Sequence, residues 1–237
     1  EASDIFTYII AGLKYSEMKN KKQTLATIGY NMTLASVKAV KLGHEIDTNN
    51  KIGCVFGLTP VYPFNSNPIN VMNAFKENEH EFYQIDAMCN GKFPSYKLHE
   101  YKEQGINLMI TEEDKNSFAE GKIDFIGLNY YSSSVAHHED DEGDEKTLFG
   151  GVQNTYLEKS KWGWSIDPIG LRYILNYVYR RYGLPIIITE NGLGAVDEID
   201  ENGNIDDIYR IEFLQKHIEQ IKKAVIEDYV ECFGYLT

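Results

Sequence analysis

Residues 185–192 read PIIITENG, a proline and three isoleucines followed by a threonine, a carboxylate, an amide and a glycine. Such a short run of β-branched residues is typical of a strand that is buried on both faces. A helical pattern over Ile169–Tyr182 precedes the run, and Gly183 and Pro185 end that helix. The sequence therefore places Glu190 at the point where a buried parallel strand ends.

The same alternation of helix and strand extends in both directions from this segment. Helical spacing predicts helices over Thr24–Glu45, Pro68–Met88, with Asn67 as cap, and Asp206–Asp228, and apolar runs predict strands over Lys51–Tyr62, Ile123–Tyr131 and Val230–Leu236. Alternating elements imply an α/β protein with parallel strands. A complete eight-stranded barrel fits in about 250 residues, but here the predicted helices and strands with their loops take up the whole chain in far fewer units. We therefore predict that residues 1–237 form a single partial domain. It comprises about four βα units, half of a TIM (β/α)8 barrel.

The overall charge excludes two classes of partner. The net charge is −13 and no block of Lys and Arg offsets it locally, so we expect neither nucleic-acid nor membrane binding. No stretch reaches the roughly 18 apolar residues of a membrane span. The three cysteines have neither disulfide-framework nor zinc-site spacing, which indicates isolated thiols in a reducing cytoplasm.

Two acidic or histidine-rich segments resemble metal sites only superficially. Glu198–Tyr209 contains part of a calcium-loop pattern, but Tyr209 stands where the closing Glu is needed. His137 and His138 begin the polar run HHEDDEGDEK, which is typical of a solvated loop. We expect no metal and no cofactor.

Reactive residues in βα barrels lie at the carboxyl ends of the strands. One strand ends at Glu190, and another ends in Asn129, Tyr130 and Tyr131, where an amide and phenols can bind hydroxyl groups or hold a carboxylate. A carboxylate at this position can act as the nucleophile of a glycosidase. The alternative, a helix cap or a surface glutamate, stays open from position alone.

Several segments together resemble glycoside hydrolase family 1: TENGLGAVD with DDIYRIEFLQKHI, GLNYYSS and WGWSIDPIGLRYIL. The resemblance implies that Glu190 attacks the anomeric carbon and that Tyr131 hydrogen-bonds this nucleophile. It further implies that Asn129 faces the sugar and that Trp164 stacks on the leaving group. For Trp162, ordinary core packing is the favoured interpretation.

The segments WGW-x-IDP-x-GLR and YP-x-x-x-NP are most similar to the 6-phospho-β-glucosidase branch. The resemblance implies a retaining β-glycosidase of carbohydrate metabolism that acts on β-glucosides, specifically 6-phospho-β-glucosides. Its reaction passes through a covalent glycosyl-enzyme intermediate.

Some of the family pattern does not match. The acid/base Glu is expected ahead of this chain or at Glu1, which lacks the preceding Asn, and the phosphate-binding segment is expected beyond the final GYLT. Tyr30 and Asn31 stand where a His-His pair is common in the branch. We therefore expect weak or no activity from this chain alone. A non-catalytic remnant or interaction module is the alternative, and open strand edges predict self-association or pairing with the missing half of the barrel.

Overall fold

The computed structural model describes residues 12–138, 145–148 and 150–237, which divide into two compact units. The first unit comprises the described part of Glu1–Cys54 together with Glu79–Asp124, and the second comprises Val55–Asn78 and Phe125–Thr237. The interpretation of residues 1–237 as a single partial barrel domain stays a prediction.

Helices and strands follow one another along the described residues. The helices are α1 (Lys21–Ile46), α2 (Pro68–Asn90), α3 (Ser95–Glu103), α4 (Glu112–Glu120), α5 (Pro168–Tyr182) and α6 (Ile208–Ile226), after a short 3-10 turn at Tyr15–Glu17. The strands are β1 (Gly53–Gly57), β2 (Val61–Tyr62), β3 (Phe125–Tyr130), β4 (Ser134–Val135), β5 (Ile186–Asn191) and β6 (Cys232–Tyr235). Among these residues no helix has the length and hydropathy needed to cross a membrane.

Within the described residues the main sheet has the strand order β1-β3-β5-β6. The β3–β5 and β5–β6 pairs are parallel, as is the separate pair of β2 and β4. Parallel neighbours require crossover connections, which α5 and α6 provide between β3, β5 and β6. The predicted α/β class with parallel strands is confirmed.

Aromatic packing forms the core of the first unit. Asn20 caps the start of helix α1, and its side chain accepts a hydrogen bond from the Gln23 backbone N–H. The buried ring of Tyr30 on this helix contacts Phe93 edge-on, with ring centroids 5.4 Å apart. Gly121 lies against the α1 backbone so closely that an added Cβ would be 2.0 Å from the Val37 carbonyl oxygen. Contacts between aromatic rings and the close approach of Gly121 to the α1 backbone therefore contribute to the packing of this unit.

The sheet and helix α5 form the core of the second unit. Each contributes fully buried aliphatic side chains: Ile126, Leu128, Ile186 and Ile188 from the strands, and Leu171, Ile174, Leu175 and Val178 from the helix. Burial of each such side chain contributes about 1.5–3 kcal/mol. Asp167 caps the start of helix α5 by accepting from Gly170 N, and Gly183, with φ 65°, caps its end. Helix α5 thus covers Ile186 and Ile188, whereas Ile187 between them is half-buried, so the prediction of a strand buried on both faces is wrong for that residue.

Apart from the short turn at Tyr15–Glu17 and strand β4 (Ser134–Val135), which were not predicted, the structure differs from the predicted elements in two respects. The single strand predicted over Lys51–Tyr62 is two strands, because Pro60 lies between β1 and β2 and has no backbone N–H for a ladder. Helices α3 and α4 are missing from the prediction because both are short and rich in charged residues. A capping box, in which Thr111 and Asp114 bond each other's backbones, was the local signal that marks the start of α4.

Candidate active site

Glu190 and Tyr131 are joined by a hydrogen bond across the carboxyl end of the sheet. The Tyr131 hydroxyl donates to Glu190 Oε2, and the Glu190 side chain is exposed while Tyr131 is half-buried. Burial, and then the bond to the carboxylate, raises the pKa of Tyr131 to about 12. The phenol therefore stays protonated at neutral pH and acts as a donor to the Glu190 side chain.

A β-bulge determines the face on which Glu190 lies. Leu128 pairs with Ile188, but the next pair is Asn129 with Glu190, so Thr189 is an extra residue in β5. Because side chains alternate between faces, an unbulged strand would place Glu190 on the face of Leu128 and Ile188, which are fully buried. The extra residue shifts the carboxylate to the opposite face beside Asn129.

Asn191 fixes the strand end immediately after Glu190. Its Nδ2 donates to the Tyr130 carbonyl of β3 at 2.8 Å, and its Oδ1 accepts from the Tyr235 hydroxyl of β6 at 2.8 Å. The side chain is only 5% exposed. One amide therefore ties three adjacent strands together at the position where the carboxylate leaves the sheet.

Asn129 is held by a second polar contact from β5. The Thr189 hydroxyl donates to Asn129 Oδ1 at 2.6 Å. This bond orients the half-buried amide with its oxygen toward β5, so that its Nδ2 hydrogens are directed elsewhere. An amide donor oriented in this way, beside a carboxylate, suits a sugar hydroxyl.

Two tryptophans extend the site beyond Tyr131. The Trp164 ring contacts Tyr131 at 5.6 Å between centroids, and Trp162 contacts Trp164 at 5.3 Å in an edge-on arrangement. The interpretation of Trp162 as a core residue is wrong, since its side chain is 58% exposed. It lies over Gly194 instead, where an added Cβ would meet the indole at 2.6 Å.

The buried carboxylate of Asp167 binds the segments that follow two of the strands. Asp167 Oδ2 accepts from the Tyr62 hydroxyl at 2.8 Å and from Ser133 Oγ at 2.6 Å, while Oδ1 caps Gly170 N at 2.7 Å. Burial, and then the charge of Asp167, raises the pKa of Tyr62. Asp167 therefore connects the segments after β1 and β3 to the start of α5. Its position directly before Pro168 is an N-cap signal.

The four residues predicted from the sequence thus lie in one continuous cluster within the second unit: Glu190, Tyr131, Asn129 and Trp164. Sequence reasoning missed Asn191, Thr189 and Asp167. Glu1 lies outside the described residues. Tyr30 belongs to the core of the first unit. In the described part of the chain no group of three His, Cys, Asp or Glu residues has metal-binding geometry.

Sequence comparison identifies the family. The model for Glycosyl hydrolase family 1 matches residues 4–237. The chain belongs to glycosyl hydrolase family 1. Among curated members of family 1, the chain is 38% identical over 236 residues to aryl-phospho-beta-D-glucosidase BglA of Bacillus subtilis, covering 98% of this chain and 49% of that relative. It is 41% identical over 236 residues to a 6-phospho-beta-glucosidase of Clostridium longisporum, covering 97% of this chain and 50% of that relative.

The chain likewise covers about half of the length of solved family 1 structures. A family 1 b-glucosidase from Thermotoga maritima superposes with a TM-score of 0.73 at 29% identity, covering 87% of this chain and 45% of that structure. The same enzyme in complex with isofagomine lactam gives a TM-score of 0.72 at 28% identity, covering 89% and 46%. The chain thus spans about half the length of the family 1 proteins that it matches, and the predicted half of a TIM barrel is confirmed.

Proposed function

We propose that these residues form the nucleophile-bearing half of a retaining β-glycosidase that hydrolyses 6-phospho-β-glucosides. The hydrogen bond from Tyr131 to Glu190 Oε2 is the observation that carries this proposal. A carboxylate at a strand end, oriented by a phenol, is the arrangement that nucleophilic attack on an anomeric carbon requires.

In the proposed reaction Glu190 Oε1 attacks the anomeric carbon while Tyr131 holds Oε2. The bond between the anomeric carbon and the leaving-group oxygen breaks, and that oxygen takes a proton from a second carboxyl group. Water then attacks the glycosyl ester, gives its proton to the same second carboxylate, and releases Glu190. In a retaining enzyme the two carboxyl groups are about 5 Å apart. We propose that the second one comes from the remainder of the family-length protein.

Asn129 and Trp164 supply binding in this proposal. The Asn129 amide, held by Thr189, donates to a hydroxyl of the sugar that Glu190 attacks. The half-buried Trp164 ring, in contact with Tyr131, provides an apolar face on which the leaving group stacks. Names of similar proteins, including a 6-phospho-beta-glucosidase that is 41% identical, support a phosphorylated sugar as the substrate.

The test compares variants of the family-length protein that contains these residues. We expect Glu190→Gln to lower the hydrolysis of a chromogenic 6-phospho-β-glucoside by at least about a thousandfold, because an amide is a poor nucleophile. Tyr131→Phe removes the donor to Oε2 and should lower the rate by less. Turnover by Glu190→Gln equal to that of the wild type would refute the assignment. Equal kcat/KM for the non-phosphorylated glucoside would refute the phosphate preference.

The ends of the sheet support a second proposal, that this chain self-associates or pairs with the complementary half-barrel. Strands β1 and β6 are the two end strands of the described sheet. Val55 on β1 and Phe233 on β6 are 52% and 56% exposed, respectively. Apolar side chains exposed at the ends of a sheet favour association with another chain.

We expect light scattering to show dimers or larger species of the 237-residue chain, and a monodisperse monomer at high concentration would contradict this proposal. We expect little or no turnover from the chain alone, because the mechanism needs a second carboxyl group. Full turnover by the isolated chain would exclude a non-catalytic remnant. The cytoplasmic location stays a prediction from the number and spacing of the cysteines in the sequence.

A further inference from the structure

The first unit contains a cavity at helices α3 and α4. Its volume is about 290 Å³, close to the lower end of the range of about 300–1,000 Å³ that is usual for small-molecule sites. The side chains that line it all come from the chain between α2 and β3, and they are Lys92, Phe93, Leu98, Ile110, Lys115 and Phe118. None of these residues belongs to the proposed active site, which lies in the second unit.

The cavity reaches the aromatic core of the first unit. Phe118 on α4 and Phe93 before α3 are both buried, and their rings meet edge-on with centroids 6.2 Å apart. Protein interiors are close-packed, and a ring that faces empty space loses its dispersion contacts on that side. A ligand that fills the cavity therefore gains contacts with rings that are already fixed by the core.

Hydrogen bonds and cation–π contacts fix the walls of the cavity. The buried Lys97 of α3 donates to Glu100 at 2.9 Å, and its ammonium lies 5.1 Å from the ring centroid of Tyr83 on α2. Gln23 of α1 exchanges two hydrogen bonds of 2.9 Å with the Asn107 backbone, between α3 and α4. Because the walls are held in this way, binding costs little in lost side-chain and loop freedom.

Two lysines bring positive charge to the cavity. Lys92 is exposed and forms no ion pair within the described ranges of the chain. Lys115 pairs with Glu112, but both side chains are largely exposed. Exposed pairs of this kind contribute little because water screens them, so the Lys115 ammonium can turn to a bound anion at small cost. Positive charge at this cavity, in a chain of net charge −13, favours a negatively charged ligand.

The apolar part of the wall excludes other classes of ligand. A sugar would bury hydroxyl groups against Phe93, Leu98 and Ile110 without hydrogen-bond partners, which is costly. Among the described residues that line the cavity, none carries a carboxylate, imidazole or thiol to hold a metal ion. An aromatic ring, in contrast, can meet the two phenylalanine rings edge-to-face.

The volume limits the size of this ring system. An apolar cavity of about 150 Å³ holds benzene, so a cavity of about 290 Å³ takes one ring with a short side chain. A carboxylate at the end of that side chain can accept hydrogen bonds from both ammonium groups.

We propose that this cavity binds a small aromatic carboxylate, with its ring against Phe93 and Phe118 and its carboxylate at Lys92 and Lys115. The proposal does not rest on the glycosidase function, since it uses residues of the first unit alone. It gives the chain a second ligand site, with a chemistry unlike that of a sugar site.

The test is a titration of the 237-residue chain with phenylacetate, followed by NMR through the methyl signals of Leu98 and Ile110. We expect saturable shifts of both signals. Lys92→Gln and Lys115→Gln each keep most of the stem but remove the charge, and each should weaken binding by up to about fivefold. Leu98→Trp should fill the cavity and abolish the saturable shift at Ile110. The matched control is Lys216→Gln, which removes an exposed lysine of α6 that does not line the cavity.

Several outcomes would overturn the proposal. These are the absence of saturable shifts in the wild-type chain, or affinity unchanged in the double variant of Lys92 and Lys115. Both lysines are exposed, so their variants decide the matter even where Leu98→Trp does not fold.

Two further ligands test the chemistry of the site. Phenylacetamide has the same shape without the charge and should bind more weakly, and equal binding would overturn the role of the lysines. Hexanoate should also bind more weakly, and tighter binding of hexanoate would overturn the aromatic assignment. The family-length protein should bind phenylacetate as the 237-residue chain does, and loss of binding there would overturn the site. Glu190→Gln should leave this binding unchanged, so failure of the catalytic proposal is distinguished from failure of this one.

Discussion

The clamp formed by Asn191, meaning its two side-chain hydrogen bonds to β3 and β6, leads to a quantitative prediction of stability. Replacing Asn191 with Ala removes the donor to the Tyr130 carbonyl and the acceptor for the Tyr235 hydroxyl. Tyr130 is fully buried, so its carbonyl loses a partner where water is scarce, at a cost of about 1–3 kcal/mol. The Tyr235 hydroxyl is on a half-buried residue and can turn to water, at a cost of about 0.5–1 kcal/mol. We expect a total loss of about 1.5–4 kcal/mol.

Tyr235→Phe is the matched control, because it removes only the bond to Asn191 Oδ1. It should cost about 0.5–1.5 kcal/mol. The double variant should cost little more than Asn191→Ala, because that substitution already breaks the shared bond. The non-additivity then measures the contribution of that bond.

Urea denaturation of the 237-residue chain, followed by circular dichroism, is the assay. The reading is the change in the transition midpoint at constant slope, which reports a change in stability alone. A loss below about 0.5 kcal/mol for Asn191→Ala would refute the reasoning, since a clamp of this kind cannot be worth less than one hydrogen bond. A loss as large for Tyr235→Phe as for Asn191→Ala would refute the assignment of the main cost to Tyr130.

Three further predictions concern packing and pH. Gly121→Ala should destabilise the first unit by about 1–3 kcal/mol, as measured by urea denaturation, because the new Cβ would be 2.0 Å from the Val37 carbonyl; an unchanged midpoint would contradict the close approach. Hydrogen bonds from Arg172, the main cause, lower the pKa of Asp228 from 3.8 to about 2, so this stabilisation is present above pH 3.8 and is lost as the pH falls toward 2. Asp228→Asn should therefore be less stable than the wild type near neutrality, and the difference in stability between the two proteins should shrink toward pH 2. A difference in stability at pH 2 equal to that near neutrality would contradict the prediction. Burial lowers the pKa of His217 below 6.5, so stability should decrease as the pH falls below 6.5; His217→Gln should remove this part of the pH dependence in acid titration, and an unaltered profile would exclude it.

The parts of the fold that could be predicted from sequence are those with strong hydrophobic patterns. Helix α5 and strand β5 show a clear periodicity and a clear stop at Gly183, and both were located to within a residue or two. Helices α3 and α4 are short and rich in polar and charged residues, so their apolar faces are too small to generate a pattern. The break between β1 and β2 follows from one proline, whose effect on a ladder depends on neighbours that are far away in sequence.

In the candidate site, the residues within motifs could be predicted from the sequence, but the contacts that orient them could not. Glu190, Tyr131, Asn129 and Trp164 were located because each follows or flanks a recognisable motif. The contacts that orient them come from residues whose partners lie on other strands, as with Asn191, which bonds residues 61 and 44 positions away. Trp162 was placed in the core because large aromatics usually are buried, whereas here the ring covers Gly194 at the surface.

The extra residue at Thr189 has a consequence for anyone who would transplant this chemistry. Copying TENG onto a regular strand of another barrel would reproduce the sequence of the motif but not the face on which its side chains lie. The carboxylate would then point into the layer between sheet and helices. The transferable unit is the motif together with its bulge and the partner strand that accommodates it, which is a property of two strands and not of one.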